Sequence, residues 1–240
     1  MTDEILRKEL ERLGDAQQAA FLQKFFKTGP GQYGEGDRFR GIRVPVLRKL
    51  AKRSRGVPVE EALKLLRSPF HEDRLLALFL LVDLFSRSDE SVRKGIYTAY
   101  LAHTSFVNNW DLVDSSAEHI VGAFLFNRDR KPLMTLAGAD LLWERRIAIM
   151  STFHFIKKGD FSDTLTIAER LLADKEDLIH KAVGWMIREV GKRDAAVEED
   201  FLDRFCGRMP RTMLRYAIER FPEPKRLAYL HRPTESVKAT

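Results

Sequence analysis

The segment NNWDLVDSS, residues 108–116, sets an indole and a carboxylate four positions apart, Trp110 and Asp114, with Asp111 alongside. At helical spacing the two share one face about a turn apart, so a π surface and a negative charge point the same way. Such a pair suits positive charge, the carboxylate by Coulomb attraction and the indole through its quadrupole. Downstream, Arg145-Arg146 opens the helical segment RRIAIMSTF, and Trp185 lies in HKAVGWMIREV. If the segments stack in register, these residues form a row on one surface. Each also has a plainer reading. Indoles at helical spacing usually pack, as Trp143 in the apolar context LLWERR is expected to do. Asp114, read as lying well inside a helix where Asp is a poor former, needs a compensating role. An ion pair with Arg146 would supply one, and on spacing alone that structural reading outweighs catalysis.

Other chemistries find no support. The chain has no GxSxG elbow, no GxxxxGK[ST] phosphate loop and no HExxH pair. The six histidines show no ligand spacing, and lone histidines on helices are mostly structural or solvated. A single cysteine, Cys206, can form no internal disulfide and leaves no thiolate set for zinc, so neither a metal nor a cofactor is expected. Gly29, Gly31 and Gly34 formally satisfy GxGxxG. The fingerprint needs a strand before it and a helix after it, and here a helix precedes while Glu35-Gly36-Asp37 follows, so a nucleotide-binding loop is rejected. The Gly29–Gly41 stretch reads instead as a surface loop whose exposed amides offer phosphate contacts.

The elements that must position these residues repeat. Ala77, Val113, Ala148, Ala182 and Ala217 anchor similar apolar patterns 36, 35, 34 and 35 residues apart, a period that fits two helices and two turns per unit. The spacing predicts an all-α, HEAT-like helical-repeat solenoid with a concave surface. Helical stripes such as Ile5, Leu6, Leu10 and Leu13, or Leu165, Ala168, Leu171 and Leu172, agree, and no window alternates long enough for a sheet. Turn formers and N-caps break the chain at Gly14-Asp15, Gly56-Val57-Pro58, Ser68-Pro69, Arg87-Ser88-Asp89, Asn127-Arg128-Asp129, Gly159-Asp160, Asp194, Met209-Pro210 and Phe221-Pro222. About a dozen helices in a single domain, residues 1–240 with a flexible tail from 233 to 240, are expected.

With 41 Lys plus Arg against 35 Asp plus Glu, the net charge of +6 favours an acidic partner. From Arg38 to Arg55 there are eight basic residues and no acidic ones; Arg204 to Arg232 holds eight basic and two acidic. These stretches read as phosphate contacts on a basic concave face, Arg43, Arg48 and Arg53 among them. The N-terminus lacks the apolar stretch of a signal peptide, and the longest apolar run, Leu75 to Val82, is far below the ~20 residues that span a bilayer. A soluble, cytoplasmic protein with no membrane partner is expected.

FRGIRVPVLRKLAKR (39–53), NNWDLVDSSA (108–117), ERRIAIMSTF (144–153) and HKAVGWMIREVGKRD (180–194) together resemble the AlkD-like family of DNA alkylation repair glycosylases, built of HEAT-like repeats, over nearly the whole chain. The resemblance implies a hydrolase acting on double-stranded DNA that carries alkylated purines. It implies Asp114 as catalytic carboxylate, Trp110 and Trp185 as pocket tryptophans, and Arg146 as pocket arginine with Arg145 as the fallback. Where family members often have tyrosine in a YMKN-like segment, this chain reads FFKT, so Phe25 takes that place without a hydroxyl. A purine alkylated at N3 or N7 already carries positive charge and can leave without a general acid, so an anion beside the deoxyribose suffices. The family holds its lesion while the base stays stacked, unlike glycosylases that extrude it into a pocket. No lysine falls in the Trp110–Asp114 segment to form a Schiff base, which argues for a monofunctional enzyme. A monomer of bacterial cytoplasmic type, on the nucleoid when DNA-bound, is implied. The alternatives are a non-catalytic nucleic-acid-binding repeat module and a protein scaffold with solvated basic residues.

Overall fold

The computed structural model describes residues 2–232, so the tail expected from 233 onward lies outside the described residues. Helices run through those residues and no strand forms; the only β feature among them is an isolated bridge between Arg38 and Phe70. The protein is all-α. No helix among these residues is long and apolar enough to cross a membrane.

The chain folds as two compact units that divide between Ile120 and Val121. The first contains α1 (Asp3–Leu13), α2 (Ala16–Phe25), α3 (Val44–Arg53), α4 (Val59–Leu66), α5 (His71–Arg87), α6 (Glu90–Leu101) and the short α7 (Trp110–Asp114). Its core is α5, on which α3 and α4 pack. Leu75 to Leu81 is buried without interruption, so α5 is apolar all round where a surface helix would show one stripe. Each such leucine contributes ~2 kcal/mol by leaving water.

The second unit contains α8 (Ala123–Leu125), α9 (Lys131–Leu136), α10 (Leu142–Ser151), α11 (Phe153–Ile156), α12 (Ser162–Arg170), α13 (Asp177–Gly191), α14 (Ala195–Phe205), α15 (Arg211–Ala217) and α16 (Glu223–Leu230). Here α13 is central, packed by α10, α14 and α15. Gly184 lets α13 meet α15 backbone to backbone, since a Cβ there would lie 2.3 Å from the Met213 carbonyl oxygen.

All five repeat anchors, Ala77, Val113, Ala148, Ala182 and Ala217, are fully buried. They stand on α5, α7, α10, α13 and α15, and within each unit successive anchor helices pack on one another: α5 on α7, then α10 on α13 and α13 on α15. All nine breaks read from turn residues fall at helix ends or between helices. Three of the aspartates among them cap as expected: Asp15 accepts from the amide of Gln18, Asp89 from Val92, and Asp194 from Ala196 and Val197.

The glycine-rich stretch differs from expectation. Many of its amides are taken up within the chain, by backbone carbonyls and by carboxylates. Gly31 donates to Glu35, and the amides of Arg40, Gly41 and Ile42 all donate to buried Glu72 at the start of α5. Those amides are spent, which corrects the reading of them as phosphate contacts. The loop is also tightly seated: Gly41, at φ +84°, lies where a Cβ would be 2.0 Å from the Asp15 carbonyl oxygen, and one on Gly34 would be 2.5 Å from that of Phe26.

Candidate functional site

The first unit carries an open cleft of about 500 Å³ lined by Trp110, Asp111 and Asp114 of α7, by Arg48, Lys52 and Arg55 from α3 and its end, and by Phe79 and Asp83 of α5. The α7 helix that supplies its floor is only five residues long. It starts where the Asn109 side chain accepts from the Trp110 amide at 2.9 Å, and it ends where the Ser116 hydroxyl donates to the Leu112 carbonyl at 2.6 Å, offering that carbonyl an alternative to further helix. Buried Tyr100 of α6 shares a 2.9 Å bond with the same hydroxyl. Leu112 and Val113 point inward and are fully buried, which leaves Trp110 and Asp114 half-buried on the cleft side. Asp114 is therefore the last residue of its helix, not an interior one as the sequence suggested. There the helix dipole disfavours a carboxylate, a local cost that invites a functional explanation.

The cleft's carboxylates are not equivalent. Asp83 faces the guanidinium groups of Arg55, at 3.3 Å, and Arg87. Asp111 gives one oxygen to His71 at 2.8 Å and the other to the Leu112 amide at 3.0 Å. Both of its oxygens are engaged in structure, and Asp114 lines the same cleft a turn from Trp110. Trp110 belongs to an aromatic ladder: it stacks on Phe26 at 5.4 Å and meets Phe25 edge-on at 6.3 Å, and Phe25 stacks on Phe21. Phe25, the residue in the place of the family tyrosine, is thus beside Trp110 and exposed.

Of the three arginines singled out from the basic stretch, the structure brings only Arg48 to this cleft, where its guanidinium lies 4.5 Å over the Phe79 ring. Arg43 immediately precedes α3, and Arg53 points the other way, 3.4 Å from Glu9 of α1. Positions five apart rotate around a helix, whereas Arg48, Lys52 and Arg55 recur at four and three and keep one face. Lys52 and Arg55 were missed for that reason, and Lys52 brings a lysine to the cleft although none falls in the Trp110–Asp114 segment. Arg40, from the same stretch, is bound in two places to buried Asp73, at 2.6 and 3.0 Å. Many cations of the second basic stretch are likewise paired, Arg232 with Asp203, Arg204 with Asp200 and Lys225 with Glu199.

In the second unit, Trp185 is half-buried on α13, its indole N–H donating to Glu189 at 3.2 Å and its ring 6.1 Å from Phe153. Burial pushes the Glu189 carboxyl up, but hydrogen bonds from Lys192, Arg193 and Trp185 outweigh it and hold the group below its ordinary value. Arg146 is buried on α10 and donates to the Leu178 carbonyl. Arg145 is committed elsewhere: it pairs with Asp174 at 2.6 Å and donates to the carbonyls of Ala139 and Asp140. Trp143 is core, as expected. Among the described residues no group of His, Cys, Asp and Glu is placed to hold a metal ion.

An all-helical body with a cleft that sets an indole and a carboxylate against a row of cations defines a class of helical proteins fit to hold a polyanion beside a negative charge. The chain belongs to the DNA alkylation repair enzyme family, whose sequence model matches residues 6–221. It is similar in structure to a protein of Enterococcus faecalis described as a predicted DNA alkylation repair enzyme, with a TM-score of 0.67 and 18% identity over 88% of this chain and 97% of that one. No curated protein matches it in sequence. Its role is in the repair of alkylated DNA.

Proposed function

We propose that the protein is a monofunctional DNA glycosylase that hydrolyses the N-glycosidic bond of cationic N3- or N7-alkylated purines in duplex DNA, with the base left in the stack. The observation that carries this reading is the cleft in which Asp114 and Trp110 face Arg48, Lys52 and Arg55 in a member of a DNA alkylation repair family. The cations hold the phosphate backbone. As the bond to an already charged base breaks, positive charge grows on the deoxyribose; Asp114 stabilises it and orients the attacking water, and the Trp110 face adds a cation–π contact. Trp185 and Arg146 are proposed DNA contacts of the second unit, on the resemblance of their segments to the family. The protein is proposed to act as a monomer in the cytoplasm, without a cofactor.

The test is incubation with duplexes carrying a small N7-alkylguanine, a bulky N7-alkylguanine or neutral hypoxanthine, followed by chromatography of released bases. Release of both cationic bases and not of hypoxanthine is expected, because a neutral base must be protonated to leave, whereas the proposed roles of Asp114 and Trp110 stabilise positive charge without donating a proton. In Asp114→Asn release should fall by about a hundredfold or more while DNA binding persists or tightens. Full activity of that variant overturns the assignment. Borohydride trapping of the protein on DNA, lost in Lys52→Gln, would replace hydrolysis by Schiff-base chemistry.

A further inference from the structure

Behind the cleft floor lies a group that the proposed chemistry does not use. His71, the first residue of α5, is 2% exposed, with Nε2 2.8 Å from Asp111 Oδ2 of α7 and Nδ1 3.2 Å from Asp37 Oδ2 of the glycine-rich loop. A neutral imidazole has one N–H, and a carboxylate oxygen can only accept; both contacts are hydrogen bonds only if both ring nitrogens carry hydrogen. Phe39 and Phe26 cover the ring, with centroids at 4.7 and 4.9 Å. Asp37 is itself a hub. It accepts from Arg74 of α5 at 2.6 Å and from the side-chain amides of Asn108 and Asn109, the two residues that lead into α7, at 3.2 and 3.3 Å. The charged groups around the imidazole are therefore Asp37 from the loop, Asp111 from α7, Arg74 and Glu72 from α5, and Arg43 at the start of α3, which lines the same small cavity.

We propose that His71 is a positioning residue for the repair site: as a doubly hydrogen-bonded imidazolium it fixes Asp111, and through it the five-residue helix that presents Trp110 and Asp114. The proposal rests on the glycosylase reading only for its activity readout. A helix this short has too few internal bonds to hold itself, so its orientation comes from such contacts. Loss of the proton removes one of the two hydrogen bonds and leaves two carboxylates facing each other across a neutral ring. The site thus has an ordered, protonated state and a loosened, deprotonated one. Burial alone would push the His71 pKa down, but the Asp111 carboxylate, joined by Asp37, outweighs it and lifts the group to about 9, which keeps the ordered state at neutral pH.

Histidine and indole NMR resonances of the full chain, followed against pH, test this together with single-turnover base release. His71 should remain an imidazolium at about pH 8, and the Trp110 indole resonance, assigned from Trp110→Phe, should shift with the same midpoint. His71→Gln should make that resonance independent of pH, and Asp111→Asn should reproduce the effect. Each variant should slow base release about tenfold or more, with DNA affinity changed by less than about twofold, and the double variant should be no slower than either. A His71 midpoint at the ordinary 6.5 overturns the proposal, as does wild-type base release by folded His71→Gln. If His71→Gln fails to fold, the wild-type resonances decide alone. If no base is released by any form, the glycosylase reading fails while the two titrations still settle the role of His71.

Discussion

Arg145 and Arg146 are adjacent in sequence, and their surroundings part them. Arg145 closes a four-point clamp on Asp174, Ala139 and Asp140, joining the turn before α10 to the turn before α13. Asp174 is 5% exposed at its side chain, so removing its cation would leave a nearly buried carboxylate with only the Glu176 amide and no counter-ion. Arg145→Ala should therefore lower stability by ~2–3 kcal/mol in urea unfolding. Arg145→Lys should restore only part of it, because the ammonium cannot reproduce the planar fork. A loss below ~0.5 kcal/mol would show the clamp to be solvated. The family resemblance made Arg145 a fallback for the pocket arginine because matching positions report place along a helix but not the partner waiting in a remote turn. His71 was hidden for the same reason. Its partners come from residues 37 and 111, and a lone histidine at a helix start carries no sign of them.

Among the elements, α3 is the one whose faces have distinct tasks. Leu47, Leu50 and Ala51 pack inward, Arg48, Lys52 and Arg55 line the cleft, and Arg53 turns to Glu9 of α1. Gln at positions 48, 52 and 55 together should reduce the slope of log affinity against log salt by about 2–3, at ~0.9 for each phosphate no longer neutralised. Gln at 49 and 53 should change it by less than about 1. Equal changes in both variants would mean that DNA does not enter this cleft. Much of the element scale was legible: the anchors recur because every repeat must bury one small residue against the next helix, and aspartates at N-caps mark starts by satisfying amides. The ends of α7 were not. NNWDLVDSS has the apolar spacing of a longer helix, and its interruption after Asp114 goes with the Ser116 hydroxyl bonded back to Leu112, which periodicity does not report.

For the whole molecule, two buried groups give stability the same dependence on pH. His71 rises from 6.5 to about 9 on folding, so the folded state holds its proton more tightly; the stabilisation is complete below 6.5 and is lost as pH rises through 9. Glu198 of α14, which burial and then Glu199 push from 4.5 up to about 8, is neutral in the fold, and stability falls again as pH rises between those values. Asp37 and Glu189 are held below their ordinary values and act oppositely, their contributions vanishing toward acid. The urea midpoint should thus peak at about pH 5 and decline toward about pH 9, with the His71 share on the order of 3 kcal/mol. Glu198→Gln should flatten the lower part of the decline and His71→Gln the upper part. A midpoint that climbs from neutrality to about pH 9 would contradict both.

The glycines of the loop between α2 and α3 divide that segment into mooring points and slack. Gly34 and Gly41 are pressed against backbone, while Gly31 and Gly36, at φ +72° and +83°, have nothing within 4 Å of where a side chain would start. For anyone wishing to attach a probe, an epitope or a cross-linker to this protein, the useful address is the stretch around Gly31, by insertion after the glycine so that its backbone is kept. The same graft at Gly41 would pry the loop from Glu72 and, with it, Asp37 from the back of the cleft.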